Sequence, residues 1–121
     1  MKEKSKIGVV GPCAAGKSTL IASLKKHGYN VRHIAQEHSY VPNMWRLITD
    51  PDILIFLDVS YELSKYRRKL NWTEAEYAEE HYRLRDARQH ANLYVDTNSL
   101  TPEQVLRRVL IFLENEEVDL S

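Results

Sequence analysis

One stretch constrains this chain more than any other: "KIGVVGPCAAGKSTLIASL", residues 6–24. An apolar run that reads as a buried strand enters a loop of small residues, and the loop opens an amphipathic helix with Leu20, Ile21 and Leu24 on one face. Gly11 lets the chain turn sharply off the strand, Cys13, Ala14 and Ala15 keep the path open, and Gly16 permits close backbone approach. Successive N–H groups then point inward at the positive end of the helix, which is a site for anionic oxygens. A strand of this kind feeding such a helix also implies a parallel sheet.

The rest of the chain repeats that alternation. Gly28 stops the first helix, and "NVRHIAQ", residues 30–36, is a strand too polar for the middle of a parallel sheet, so it belongs at an edge. Residues 37–52 carry Pro42, Pro51 and the patch "MWRLI", which predicts a loop with about two helical turns. "ILIFLDV", 53–59, is the most continuous apolar run and should be central. Ser60 caps a helix through Leu70; Thr73 with Glu76 forms a capping box for a highly charged helix reaching about His90; "NLYVDT" is a last strand. Thr101, Pro102 and Gln104 open a final helix whose buried stripe is Val105, Leu106, Val109, Leu110 and Leu113. The expectation is one α/β domain over residues 1–121: a three-layer α/β/α fold with a short parallel sheet of about four strands in the order 2-1-3-4, and a helical lid-like region at about 60–90.

Composition bounds the function. With 121 residues and 43% hydrophobic residues there is room for one modest core. No apolar run reaches the roughly eighteen residues of a membrane span, and "MKEKSK" leads straight into a strand rather than a signal peptide, so a cytoplasmic protein with no membrane partner is expected. A single cysteine agrees with a reducing compartment, and zero formal net charge gives no overall attraction to nucleic acid. His27, His33, His38, His81 and His90 show no zinc spacing, and a structural zinc site is not expected.

"GPCAAGKS", Gly11–Ser18, matches GxxxxGK[ST] and resembles the Walker A loop of P-loop NTPases. The resemblance implies a phosphate cradle from Gly11, Pro12, Cys13, Ala14, Ala15, Gly16, Lys17, Ser18 and Thr19. Lys17 would reach the β and γ phosphates, and the Ser18 hydroxyl would ligate Mg²⁺. The donor would be ATP or GTP; the absence of an NKxD motif argues against a Ras-like GTPase without selecting adenine.

"DILIFLDVSYELSKYRRK" looks like the segment of nucleoside and nucleotide kinases, thymidylate kinase among them, in which a strand ending LDV leads to a helix with a phosphate-sensing arginine; Arg67 stands at that position. "RLRDARQHANLYVDTNSLTPEQVLRRVL" is similar to the close of shikimate-kinase-like chains, whose lid arginine and following alanine are matched by Arg83 and Ala91. In such kinases the turn here occupied by Thr97, Asn98 and Leu100 lies against the nucleobase. Singly, Arg67, Arg68, Arg83, Arg85 and Arg88 read as a solvated face pairing with Glu74, Glu76, Glu79 and Glu80; as a group they suit a transferring phosphoryl, with Arg67 and Arg83 as the functional pair.

Two acids compete as partner of Mg²⁺. The resemblance puts Glu37, at the end of the second strand, in the catalytic and metal-positioning place, although the usual Asp-Arg pair is absent there; Asp58, after five apolar residues, fits the generic Walker B pattern. Nucleotide kinases also insert a helical acceptor region between the first helix and the acidic strand, where this chain has only "KHGYN". The aromatic patch Tyr40, Met44 and Trp45 offers a small acceptor pocket, but core packing or a homodimer contact is the commoner use of such residues. Two readings follow: a minimal Mg²⁺-dependent kinase passing the γ-phosphate of a nucleoside triphosphate to a small acceptor, or a nucleotide-binding switch or slow hydrolase that presents the Trp45 surface to a protein partner.

Overall fold

The computed structural model describes residues 5–68 and 72–116. Four strands, β1 (Lys6–Val10), β2 (Asn30–His33), β3 (Ile53–Asp58) and β4 (Leu93–Asp96), are all parallel, as the alternation of apolar runs and amphipathic helices predicts, and lie in the expected order β2-β1-β3-β4. The helices are α1 (Lys17–Lys26), α2 (Tyr61–Arg68), α3 (Glu74–Arg83), α4 (Arg85–His90) and α5 (Pro102–Asn115). Both threonine capping boxes form: Thr73 accepts from the Glu76 N–H and Thr101 from the Gln104 N–H, each with the reciprocal side-chain bond.

The two sheet faces are sorted by the period-two alternation of strand side chains. Ile7, Val9, Val31, Ile55, Leu57 and Val95 point to one side, where Leu20 and Leu24 of α1 and Val105, Val109 and Leu113 of α5 cover them. Val10, Leu54 and Phe56 point to the other, under Trp45, Leu84 and Ala87. Gly8 belongs to this second side, where a Cβ would run into Ile34 and Pro51.

The structure departs from the sequence reading at two places. β2 ends at His33, and the chain then turns into a 3-10 turn over Gln36–His38, held by the buried Gln36 side chain, which bonds the backbone of Val41, Arg83 and Trp45 rather than β1. The long charged helix is two helices: the Leu84 N–H is shared between the Glu80 and His81 carbonyls, and the bend at Leu84 turns Leu84 and Ala87 into the second core. α2 is described to Arg68, so the expected end at Leu70 lies outside the described residues. The loop over 37–52 carries the 3-10 turn and a short π-helical segment, Trp45–Thr49, close to the two turns expected.

Candidate active site

β1 delivers the loop to the C-terminal edge of the sheet, between β2 and β3. Gly11 is required there by close approach: a Cβ on it would stand inside the Leu57 carbonyl of β3. Gly16 caps α1 in the left-handed region, at φ 95°, and Ala14 also has positive φ, so the loop curls back around its own N–H groups.

Lys17 is folded into this curl and is 7% exposed. Its ammonium donates to the Gly11 carbonyl, to the Pro12 carbonyl at 3.1 Å and to Glu37 Oε2 at 2.7 Å. Glu37 is itself 3% exposed, and its second oxygen, Oε1, is buried with no hydrogen-bond partner. A buried ion pair with one carboxylate oxygen unmet is a costly arrangement for stability alone, which fits a group kept for a ligand. Gln36 sets Glu37 in place: its amide donates to the Val41 and Arg83 carbonyls and accepts from the Trp45 N–H at 2.8 Å. Sequence reading assigned Gln36 no role, since a glutamine at a strand end carries no signal until its three backbone partners are brought to it.

Asp58 has other company. One of its carboxylate oxygens accepts from the Val59 N–H and the other from the Tyr94 hydroxyl, and His81 Nε2 lies 3.3 Å away in a contact not aligned as a hydrogen bond. Burial pushes the Asp58 carboxyl up, but His81, Tyr94 and the Val59 N–H together outweigh it and hold the group below the usual carboxylate range. Burial and the bond to Asp58 push the Tyr94 hydroxyl up to about 12.

Arg67 reaches from α2 across the outer side of the loop. Its guanidinium donates to the Ala14 carbonyl at 3.0 Å, the Thr97 hydroxyl at 3.3 Å and the Thr97 carbonyl at 3.1 Å. Beneath it a pocket of about 230 Å³ is walled by Ala15, Gly16, Thr19, Leu20, Leu100 and Val105. Asn98 is not part of that wall; it accepts from the Ser60 N–H and so ties the 97–100 turn to the start of α2.

On the inner side of the loop lies a second, wider pocket of about 430 Å³, bordered by His38, Trp72, Glu76, Glu79, Glu80 and Arg83. Arg83 donates to the Glu37 carbonyl at 3.3 Å, pairs with Glu79 at 3.3 Å and stacks over the Tyr40 ring. Glu80, 5% exposed, points from α3 into the loop: one oxygen accepts from the Cys13 N–H at 2.9 Å and the other from the Cys13 thiol at 3.0 Å. Burial, with the bond to Glu80 and its charge, pushes the thiol up to about 11, so it stays protonated at neutral pH. Glu80 was read from sequence as one of four solvated acids; only the docking of α3 distinguishes it.

The aromatic patch divides. Trp45 is 4% exposed, belongs to the second core and donates its indole N–H to Asp86, whereas Tyr40 is exposed. Trp45 itself is thus packed in the core rather than displayed on the surface. Among the described residues no helix is long and apolar enough to cross a membrane.

The chain is similar to the solved structure of thymidylate kinase from Candida albicans, with a TM-score of 0.69 and 12% identity over 94% of this chain and 92% of that one. No protein-family model and no curated protein sequence matches it. The likeness is one of fold: an α/β P-loop kinase-like fold with an all-parallel sheet in the order 2-1-3-4.

Proposed function

We propose that this protein is a small P-loop phosphotransferase that binds a nucleoside triphosphate and Mg²⁺ on the Gly11–Ser18 loop and passes the γ-phosphate to a small acceptor. The observation that carries the reading is the Lys17–Glu37 pair, closed to 2.7 Å within a Gly11–Ser18 loop that has a pocket to either side. The nucleobase belongs in the outer pocket between Leu20, Leu100 and Val105, with Arg67 and the Thr97 turn at its edge. The acceptor belongs in the inner pocket, which Arg83 and His38, the neighbour of Glu37, line.

The residues present fit Mg²⁺, a hard cation that takes oxygen donors: the Ser18 hydroxyl at the start of α1 and the unmet Oε1 of Glu37 are such donors. Bound there with the nucleotide, Mg²⁺ supplies charge neutralisation for the β and γ phosphoryl oxygens. The chain does the rest by position and electrostatics. Lys17 turns from the Gly11 and Pro12 carbonyls to the phosphates, with Glu37 holding its base of swing. Arg67 and Arg83 approach the phosphoryl from the two sides of the loop. Glu37 is placed to accept the acceptor's hydroxyl proton. Glu80 holds the Cys13 N–H that a phosphate oxygen would use, so nucleotide entry releases α3 from the loop.

That last contact also supports a second reading, a nucleotide-operated switch in which the moving part is α3. Incubation with γ-labelled ATP or GTP and a panel of nucleosides, nucleotides, sugars and amino alcohols tests the first reading. Label in an acceptor is the expected result. Nucleotide binding with no labelled acceptor, and with hydrogen exchange in α3 that quickens on binding, would favour the switch.

A further inference from the structure

Cys13, His38 and Glu80 stand far apart in sequence, yet one sulfur, one ring nitrogen and one carboxylate oxygen of theirs lie within 4.8 Å of one another. Cys13 Sγ is already 3.0 Å from Glu80 Oε2. Beside them is Glu37, nine-tenths and more buried, with Oε1 unmet and Oε2 3.8 Å from His38 Nε2. From this juxtaposition we infer that Cys13, His38 and Glu80 form a site for a zinc-class divalent cation, with Glu37 at its inner wall.

The chemistry selects the class of ion. A thiolate and an imidazole suit a borderline-soft metal, and Mg²⁺ or Ca²⁺ would take neither. Bond lengths of about 2.0 to 2.3 Å to a tetrahedral ion put its ligand atoms roughly 3.5 Å apart, so the present spacing needs shifts on the order of 1 Å. His38 supplies them: its side chain is 61% exposed and stands at the end of the 36–38 turn, outside the buried Gln36 and Glu37. Charge also closes. Binding displaces the Cys13 proton to solvent, and the resulting thiolate with the Glu80 carboxylate matches the two charges of the ion, while Lys17 and Glu37 cancel each other and Arg83 is paired with Glu79.

Such an ion would fasten the loop to α3 and to the 36–38 turn, with the Cys13 N–H kept against Glu80. On the proposed nucleotide reading, that makes zinc an antagonist of phosphate entry. The ion site itself does not depend on that reading.

Titration of the full chain with Co²⁺, without nucleotide, tests it. A single equivalent should produce an ultraviolet sulfur-to-cobalt charge-transfer band and intense tetrahedral d–d bands, both bleached by Zn²⁺. Cys13→Ser should abolish the charge-transfer band, and His38→Ala, at an exposed position that leaves folding intact, should weaken Co²⁺ binding on the order of tenfold or more. Zn²⁺ should also slow hydrogen exchange of the amides at 13–16. Absence of the charge-transfer band in the wild type overturns the inference. So does a band whose strength and affinity are the same in His38→Ala and Glu80→Gln, which would place the metal on the thiol alone or between two chains.

Discussion

The two pockets flanking the loop are built on opposite principles. The outer one is lined by apolar side chains from α1, α5 and the 97–100 turn, with Arg67 as its lone charge. The inner one is lined by three glutamates, a histidine and an arginine, and one of those glutamates is inserted into the loop itself. On the proposed function, an apolar slot beside the loop would take a flat base and its phosphates with little rearrangement. A carboxylate held against the same ring must leave before an anion can enter. The outer side therefore attracts and the inner side restrains, and substitutions on the two sides should act with opposite sign on nucleotide affinity.

The largest effect is expected where the two sides meet. Glu37→Gln removes the charge that holds Lys17 and should lower turnover of ATP, to water or to an acceptor, by on the order of a hundredfold or more, measured as phosphate release or label transfer. Turnover equal to wild type would shift the catalytic assignment away from Glu37. On the outer side, Arg67→Ala should weaken ATP binding by roughly tenfold, the value of one charge-assisted contact, as read by calorimetry. Opposite in sign, Glu80→Gln should tighten ATP binding by up to about tenfold, because the loop loses its internal anion. Weaker binding in that variant would break the comparison.

The smallest effect on nucleotide is expected at Asp58, whose carboxylate is engaged by the Tyr94 hydroxyl and the Val59 N–H with His81 beside it. Asp58→Asn should leave ATP affinity unchanged and cost about 1 kcal/mol of stability at neutral pH. Because the native carboxyl is held below its unfolded value, the unfolded chain binds more protons in that window, and wild-type stability rises with pH across it. The gap between wild type and variant should be full above the ordinary carboxylate range, near pH 4 and upward, and should close as pH falls through the native value. Urea melts across acid pH read it.

How far the chain was legible in sequence follows the range of the interactions. The loop, its flanking strand and helix, both capping boxes, the edge place of β2 and the central place of β3 are set by neighbours a few residues apart or by runs of apolar residues, and they read directly. Arg67 and the 97–100 turn came from family resemblance, and the structure brings both beside the loop. Glu37 and Asp58 both read as strand-end acids, with Glu37 slightly favoured for catalysis; the fold puts the first on Lys17 and gives the second the Val59 N–H and the Tyr94 hydroxyl. Glu80 and Gln36 were invisible because their meaning lies in partners brought by tertiary docking: Cys13 is 67 positions from Glu80, and the Arg83 carbonyl 47 from Gln36. The bend at Leu84 was missed for a related reason, since the second core rather than local propensity decides it.

Calorimetric titration of wild type and Lys17→Ala with ATP and GTP in Mg²⁺ tests the central claim most directly. The helix and strand around the loop are held by their apolar faces, so the variant should fold; its triphosphate affinity should fall roughly ten- to a hundredfold, since a contact of about 1.5 to 3 kcal/mol is lost. A folded variant that binds both nucleotides as tightly as wild type, or a wild type that binds neither at millimolar concentration, would contradict the phosphate-cradle account of "GPCAAGKS".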